Sequence, residues 1–282
     1  MLLVVASSAD EASVNIRDRL LEIPGWTEKG AFDGSPVWRR ADRVLVTIRE
    51  PHLYVDDIDR KVRDALAVTP DAVVYVSKHR AASGRDSLTV HPIGNWNAAE
   101  FGGRPGEVVP PAPGLMTDAL RRIAAKSPDY AVTLEATHHG PYLETPTFYV
   151  EVGTSAEAYA DAHAARILAD AILAASDPGD PVAFGVGGGH YMPRITDVAL
   201  ARRVSFGHLV PSHALEPPNL AAIDRAIQAT SAAKLVYFHR KAMPKPVLRE
   251  LEAFFRDRGL DVVRESDLAA LPGRTARESV DE

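Results

Sequence analysis

None of the 282 residues is a cysteine. Disulfides, zinc ribbons, iron–sulfur clusters and a thiol nucleophile are thereby excluded, and the redox compartment leaves no mark. Any metal has to be held by His, Asp and Glu. Long apolar runs are missing as well: no stretch reaches the roughly 18 residues of a membrane-spanning helix. The opening Met1-Leu2-Leu3-Val4-Val5-Ala6 is too short for a signal peptide and has no basic flank; polar Ser7-Ser8 follows at once. It reads as a first, central strand, and the cytoplasm is the default location. An excess of positive charge is also lacking. The formal net charge is −6, so nucleic acid can be held only through a local patch. Phosphate-cradling and nucleophile motifs are absent too: there is no P-loop, no G-x-S-x-G elbow and no H-E-x-x-H helix.

What is present is an alternation of strands and helices. Strands are expected at Leu2–Ala6, Val44–Ile48, Ala72–Val76, Thr147–Val152, Val182–Val186, Ser205–Val210 and Lys234–Phe238, with an edge strand at Asp261–Val263. Helices are expected between Asp10 and Pro24, at Asp56–Ala67, Thr117–Lys126, Val198–Val204 and Asn219–Ala229, and from Pro246 to Arg258. The longest is expected from Ser155 to Ala175, and the Gly- and Pro-rich residues 101–114 read as loop. This pattern predicts an α/β three-layer sandwich with a mostly parallel or mixed sheet. Residues 1–270 are expected to form a single domain and 271–282 a disordered tail.

The stretch around which the chain is organised is Thr133–Gly140, T-L-E-A-T-H-H-G. The apolar run Tyr130–Leu134 leads into Glu135, His138 and His139 before Gly140-Pro141 breaks the chain. On a continuing strand the two imidazoles would face opposite ways. If the strand ends by Thr137, both can converge on one ion or substrate. Of the ten histidines, His79, His138, His139, His190 and His239 follow strand-like runs within a few residues. On a parallel sheet those strand ends share one edge, where imidazoles and Glu135 could form a zinc site without cysteine. His239 reads as structural, and His52 and His163 as solvated.

Gly185-Val186-Gly187-Gly188-Gly189-His190 is the glycine-rich loop. It fits G-x-G-x-x but has His where a dinucleotide fingerprint needs a small residue. Its glycines could donate backbone N–H groups to an oxyanion or phosphate. Basic residues gather in Lys78–Arg85, Arg121–Lys126 and His239–Lys245. A generic zinc hydrolase of small esters and a nucleotide-binding module without catalysis both remain compatible with these features.

Several blocks occur in one order: A-S-S-A-D-E-A-S near the start, S-K-H-R with L-T-V-H-P-x-G-N-W after it, T-L-E-A-T-H-H-G-P, then G-V-G-G-G-H-Y-x-P-R and F-G-H-L. Together they span about two thirds of the chain and resemble the archaeal and plant type of D-aminoacyl-tRNA deacylase. The chain departs from that pattern near Pro211-Ser212-His213 and again at His239-Arg240-Lys241. The resemblance implies a hydrolase that splits the ester between a D-amino acid and the 3′-terminal ribose of tRNA. It also implies a fold similar to nucleoside phosphorylases and peptidyl-tRNA hydrolases, and Zn²⁺, up to two ions per subunit. On these blocks Glu135, His138 and His190 are the expected catalytic residues, and Glu135, His138, His139 and His190 the expected metal ligands. Expected substrate contacts are His79, Arg80, His91, Asn95, Gly187, Gly188, Gly189, Tyr191 and Arg194. The partner is the acceptor end of a D-aminoacyl-tRNA, met by a monomer through Arg80–Arg85 and Arg121–Lys126, with Trp96 or Tyr191 stacking on the terminal adenine.

Overall fold

In the computed structural model, residues 1–80, 86–230 and 232–272 are described. An eight-stranded sheet is built from β1 (Leu2–Ser7), β2 (Thr27–Phe32), β3 (Ser35–Arg40), β4 (Arg43–Ile48), β5 (Ala72–Lys78), β6 (Ser87–His91), β7 (Ala131–Leu134) and β8 (Thr147–Gly153). Their spatial order is β2-β3-β4-β1-β5-β8-β6-β7. A second, four-stranded parallel sheet has the order β10-β9-β11-β12, from β9 (Val182–Val186), β10 (Ser205–Val210), β11 (Ala233–Phe238) and β12 (Asp261–Val263).

The α/β architecture is the one expected, with two sheets in place of one. The large sheet is mixed. β1, β4, β5 and β8 are parallel, but β6 runs antiparallel to β8, and β7 follows β6. The hairpin β2–β3 was not foreseen. It turns on Asp33-Gly34, both at positive φ (48° and 74°), the backbone that favours Asp-Gly in two-residue hairpin loops.

The helices are α1 (Glu11–Glu22), α2 (Ile58–Leu66), α3 (Pro113–Lys126), α4 (Ala156–Ala160), α5 (Ala162–Ala174), α6 (Pro193–Ala201), α7 (Leu220–Ala229) and α8 (Lys245–Arg256). The single long helix expected after Ser155 is two. Ser155 caps α4, and Asp161 accepts from His163 and Ala164 N–H to cap α5. A second Asx-type cap inside a helical pattern restarts the helix. The helix placed at Val198–Val204 begins five residues earlier, at Pro193, a residue suited to a first helical turn. Leu271 is tied by its N–H to the Ala201 carbonyl; residues 273–282 of the expected tail lie outside the described residues.

Alternation along the strands gives the large sheet two unlike faces. One carries Val4, Val74, Val76, Leu88, Val90, Phe148 and Val150, packed under α1, α3 and α5. That apolar cluster continues into the second sheet through Phe206, Leu209 and Tyr237. The other face carries Tyr75, Tyr149 and Val5 with Ile58 and Val62 of α2. In its middle, the register aligns Ser77, Glu151 and Thr89 in one row and Tyr75, Tyr149 and His91 in the next. The second sheet is clad by α7 and α8 around Phe184, Val236 and Phe255.

Candidate active site

The site lies on that second face, across β5, β8, β6 and β7. The expectation of one shared edge of parallel strand ends is corrected by the reversal of β6 and β7. Four adjacent strands each contribute a group: His79 just after β5, Glu151 within β8, His91 at the end of β6 and Glu135 just after β7. β5 is fixed at its end by Asp10, the N-cap of α1. Its carboxylate accepts from Ser13 N–H, Ser77 Oγ–H and Lys78 N–H, one residue short of His79.

β7 ends at Leu134, so His138 and His139 escape the alternation of a strand. His139 has φ 44°, a left-handed conformation that costs a non-glycine residue about 1–3 kcal/mol. The turn brings both imidazoles to the same side, with ring centroids 4.3 Å apart and 4.2 Å and 5.0 Å from His91.

His190 arrives from the second sheet. Gly187 and Gly188, at φ 93° and 118°, turn the chain after β9 so that it pairs with the end of β7. Ala136 N–H donates to the His190 carbonyl and Met192 N–H to the Leu134 carbonyl, and Glu135 bridges Tyr191. The expected oxyanion role of Gly187 and Gly188 is not supported: their N–H groups already donate to the Val210 carbonyl and Ser212 Oγ.

At the centre, Glu135 is fully buried. Its Oε1 is 3.1 Å from His79 Nδ1, and its Oε2 is 3.2 Å from His190 Nε2 and 3.7 Å from His138 Nε2. Glu151 Oε2 lies 3.4 Å from His79 Nδ1 and 3.6 Å from His91 Nε2. The opposite nitrogens fix the tautomers. Nδ1 of His91, His138 and His139 each face a backbone carbonyl, of Pro92, Ala136 and Gly140. A carbonyl only accepts, so these Nδ1 atoms carry the hydrogen and the Nε2 lone pairs turn inward.

The electrostatics follow. Burial pushes His138 well below its ordinary value and His139 to about 3, reinforced in both by neighbouring imidazoles. Burial acts the same way on His79 and His91, but Glu151 and Glu135 outweigh it and raise both. Burial would raise Glu151, yet its contacts with His79 and His91 hold it far below the usual carboxylate range.

The donor set suits a cation. Both Glu135 oxygens and His91 Nε2 are buried without a hydrogen-bond partner. Three groups of ligand atoms each fall within 4.8 Å of one another: His79, Glu135 and His190; His91, His138 and His139; and His91, Glu135 and Glu151. Lone pairs facing carboxylates repel unless a proton or metal ion stands between them. Nitrogen and oxygen donors in this number fit zinc, the ion already expected.

Of the sequence candidates, Glu135, His79, His91, His138, His139 and His190 come together. Glu151 was missed. Its signal was a lone carboxylate inside T-F-Y-V-E-V-G, a strand whose residues are all buried. Tyr191 is present through its hydroxyl, 2.9 Å from His79 Nε2. Other candidates are engaged elsewhere. Asn95 donates to the Gly102 and Arg104 carbonyls, and Arg194 to Tyr237 and Glu265. Trp96 is buried with its N–H on the Thr137 carbonyl, so it cannot stack on a base. The Arg121–Lys126 patch sits on α3, against the opposite face, and is internally paired: Arg121 with Asp180, Arg122 with Asp118, Lys126 with Asp170. Arg80 is exposed beside the site, and residues 81–85 of its loop lie outside the described residues. His52, expected to be solvated, is buried, edge-on to Tyr75 and Tyr149.

Residues 66–263 match the family model described as D-aminoacyl-tRNA deacylase. Curated proteins of that name are similar along most of the chain. The one from Pyrococcus furiosus is 32% identical over 271 residues, covering 94% of this chain and 100% of that protein. The one from Methanosarcina mazei is 35% identical over 276 residues, covering 94% and 92%. The Methanococcoides burtonii protein is 37% identical over 280 residues; 96% of this chain is covered, and the chain spans 58% of that relative's length. A crystal structure of a conserved protein of unknown function superposes with TM-score 0.88 at 28% identity, covering 95% of this chain and 96% of that one. The chain belongs to the D-aminoacyl-tRNA deacylase family.

Proposed function

We propose that the protein hydrolyses the ester linking a D-amino acid to the 3′-terminal ribose of tRNA, releasing the free amino acid and the tRNA. The observation that carries the reading, in a chain of this family, is the buried Glu135 carboxylate ringed by inward imidazole nitrogens and opening to solvent at His190. In this reading Glu135 Oε2 accepts a proton from the attacking water. His190, 42% exposed and 3.2 Å from that oxygen, delivers a proton to the departing 3′ oxygen. General-base assistance of this kind contributes about 10²–10⁴ in rate. Glu151 keeps the rings of His79 and His91 oriented.

Zinc is part of the proposal, with His91, His138 and His139 as the residues that would hold it, which leaves Glu135 and His190 to move protons. When bound, it would lower the pKa of a coordinated water from about 15.7 to about 7. The enzyme is proposed to act as a cytoplasmic monomer. Among the described residues no helix is long and apolar enough to cross a membrane. The net charge of −6 opposes a polyanion, so contact is confined to the acceptor end.

The test is to charge one tRNA with a D-amino acid and, separately, with its L form, and follow loss of the ester. Release of the D form alone is expected. Release of both forms at equal rates, or of neither, removes the proposal. Elemental analysis before and after exhaustive chelation tests the metal: full activity with no metal bound would remove zinc.

A further inference from the structure

The described large apolar side chains that stand exposed are Met1, Tyr54 and Phe101. Two of the three stand on adjoining loops at the rim of the site. Tyr54 is 58% exposed and Phe101 60%. Their loops touch backbone to backbone: a Cβ on Gly102 would fall 1.6 Å from the Leu53 carbonyl oxygen. The Phe101 carbonyl accepts the Gly140 N–H at 3.0 Å, and Gly140 directly follows His139. The rim is rigid. Asp57 N–H donates to the Tyr142 carbonyl, and Tyr142 N–H to Asp56 Oδ1. The Arg104 guanidinium lies over the Tyr142 ring, 3.7 Å from its centroid.

We propose that Tyr54 and Phe101, on adjoining loops beside His139, form a stacking platform for the 3′-terminal base of the acceptor strand. The proposal rests on the function proposed above and names its nucleotide subsite. In that substrate the scissile ester and the terminal base hang on the same ribose. A base platform therefore has to lie about one sugar away from the hydrolytic groups, and this rim adjoins His139. Unpaired bases are held by flat aromatic rings with nearby cations for the phosphates; Tyr54, Phe101 and Arg104 supply both. A protein partner fits less well. Two rings exposed to this degree offer about 200–300 Å², whereas a stable protein interface takes about 800 Å² from each side. Of the two rings expected to stack, Trp96 is in the core and Tyr191 is half-buried with its hydroxyl against His79; Tyr54 and Phe101 are the exposed large rings among the described residues.

The experiment uses the full chain and three esters of one D-amino acid: the charged tRNA, the 3′-O-(D-aminoacyl)adenosine, and the ethyl ester, which has no base. Phe101→Ala and Tyr54→Ala are expected to raise KM for the first two by at least about fivefold, the lower end of what loss of one base stack does. Neither variant changes kcat or the kinetics of the ethyl ester. Phe101→Trp restores KM and Phe101→Leu does not. Titration of the trinucleotide CCA, which needs no turnover, gives the same ranking. Unchanged nucleotide affinity in the alanine variants overturns the platform and points to another occupant. An equal loss on the ethyl ester overturns it too, as a purely structural effect. Wild-type protein that binds CCA through Phe101 yet hydrolyses no D-ester keeps the platform and removes the deacylase reading.

Discussion

Phe148 and Tyr149 are neighbours in β8 but belong to different faces of one sheet. Phe148 faces a cluster of Leu, Val and Ala side chains under three helices. Tyr149 stacks on Tyr75 at 4.8 Å and on His91 at 5.1 Å, two residues from Glu151. The same strands thus make an apolar core on one side and a titratable one on the other. The core face can exchange one hydrophobic shape for another at modest cost. The site face cannot, because its imidazoles are oriented by particular backbone carbonyls and carboxylates.

Mutations that separate stability from turnover test this division. Glu135→Gln keeps the shape and removes the charge; kcat is expected to fall by about 10²–10⁴, while thermal unfolding shows no comparable loss. Phe148→Ala should do the reverse. Cavity formation at a buried Phe costs about 3–5 kcal/mol, read as a lower denaturant midpoint, with kcat per folded molecule unchanged. If Phe148→Ala lowered kcat as Glu135→Gln does, the two faces would not be independent.

Acid should act mainly through the site face. Burial holds His52, behind Tyr75 and Tyr149, at about 4 against an ordinary 6.5. Above pH 6.5 both folded and unfolded forms are neutral, and its contribution is complete. As pH falls below 6.5 only the unfolded chain takes the proton, so stability drops until the folded form protonates near pH 4. The difference corresponds to about 3 kcal/mol. His139 and His208, each held at about 3 by burial, add losses of the same sign. In metal-free protein His52→Phe should lessen the gap between urea midpoints at pH 7.5 and 4.5; an unaltered gap would remove His52 from the account. The smallest effect is expected from Glu151→Gln, which leaves packing intact but loosens His79 and His91. Partners of metal ligands typically contribute 10–100-fold in metal affinity, measurable by competition with a chelating dye.

How much of this was readable in the chain can be argued residue by residue. Central strands such as the one read at Ala72–Val76 are apolar on both faces and announce themselves. T-L-E-A-T-H-H-G packs three site residues into one local stretch, so their convergence needed only the strand to end. His190 was found by its glycines, though they serve to turn the chain rather than to bind an anion. β6 was harder: S-L-T-V-H alternates apolar and polar residues, yet both faces are buried. Glu151 was lost for the same reason, a single charge inside an apolar run with its partners 60 to 72 positions away in β5 and β6. The reversed direction of β6 and β7 follows from long-range pairing, which no local pattern encodes. The Asp33-Gly34 hairpin, in contrast, carried a legible turn signal that went unused.

The pairing of Leu134 and Ala136 with His190 and Met192 makes the site a seam between two sheets. Backbone hydrogen bonds close it, at 2.8 Å and 3.0 Å, and Thr137 N–H donates to the Leu209 carbonyl of β10 at 2.9 Å. The amide hydrogens of Ala136 and Met192 therefore report whether the seam is shut. Their exchange with solvent deuterium would time every opening that carries His190 away from Glu135, in protein that has never met a substrate. Such openings need not disturb β5, β8 or β6, so His79, Glu151 and His91 would stay assembled while the seam parts. Failure of the site in a weakened variant would then begin at the junction, as a loss of His190, well before the sheets themselves melt.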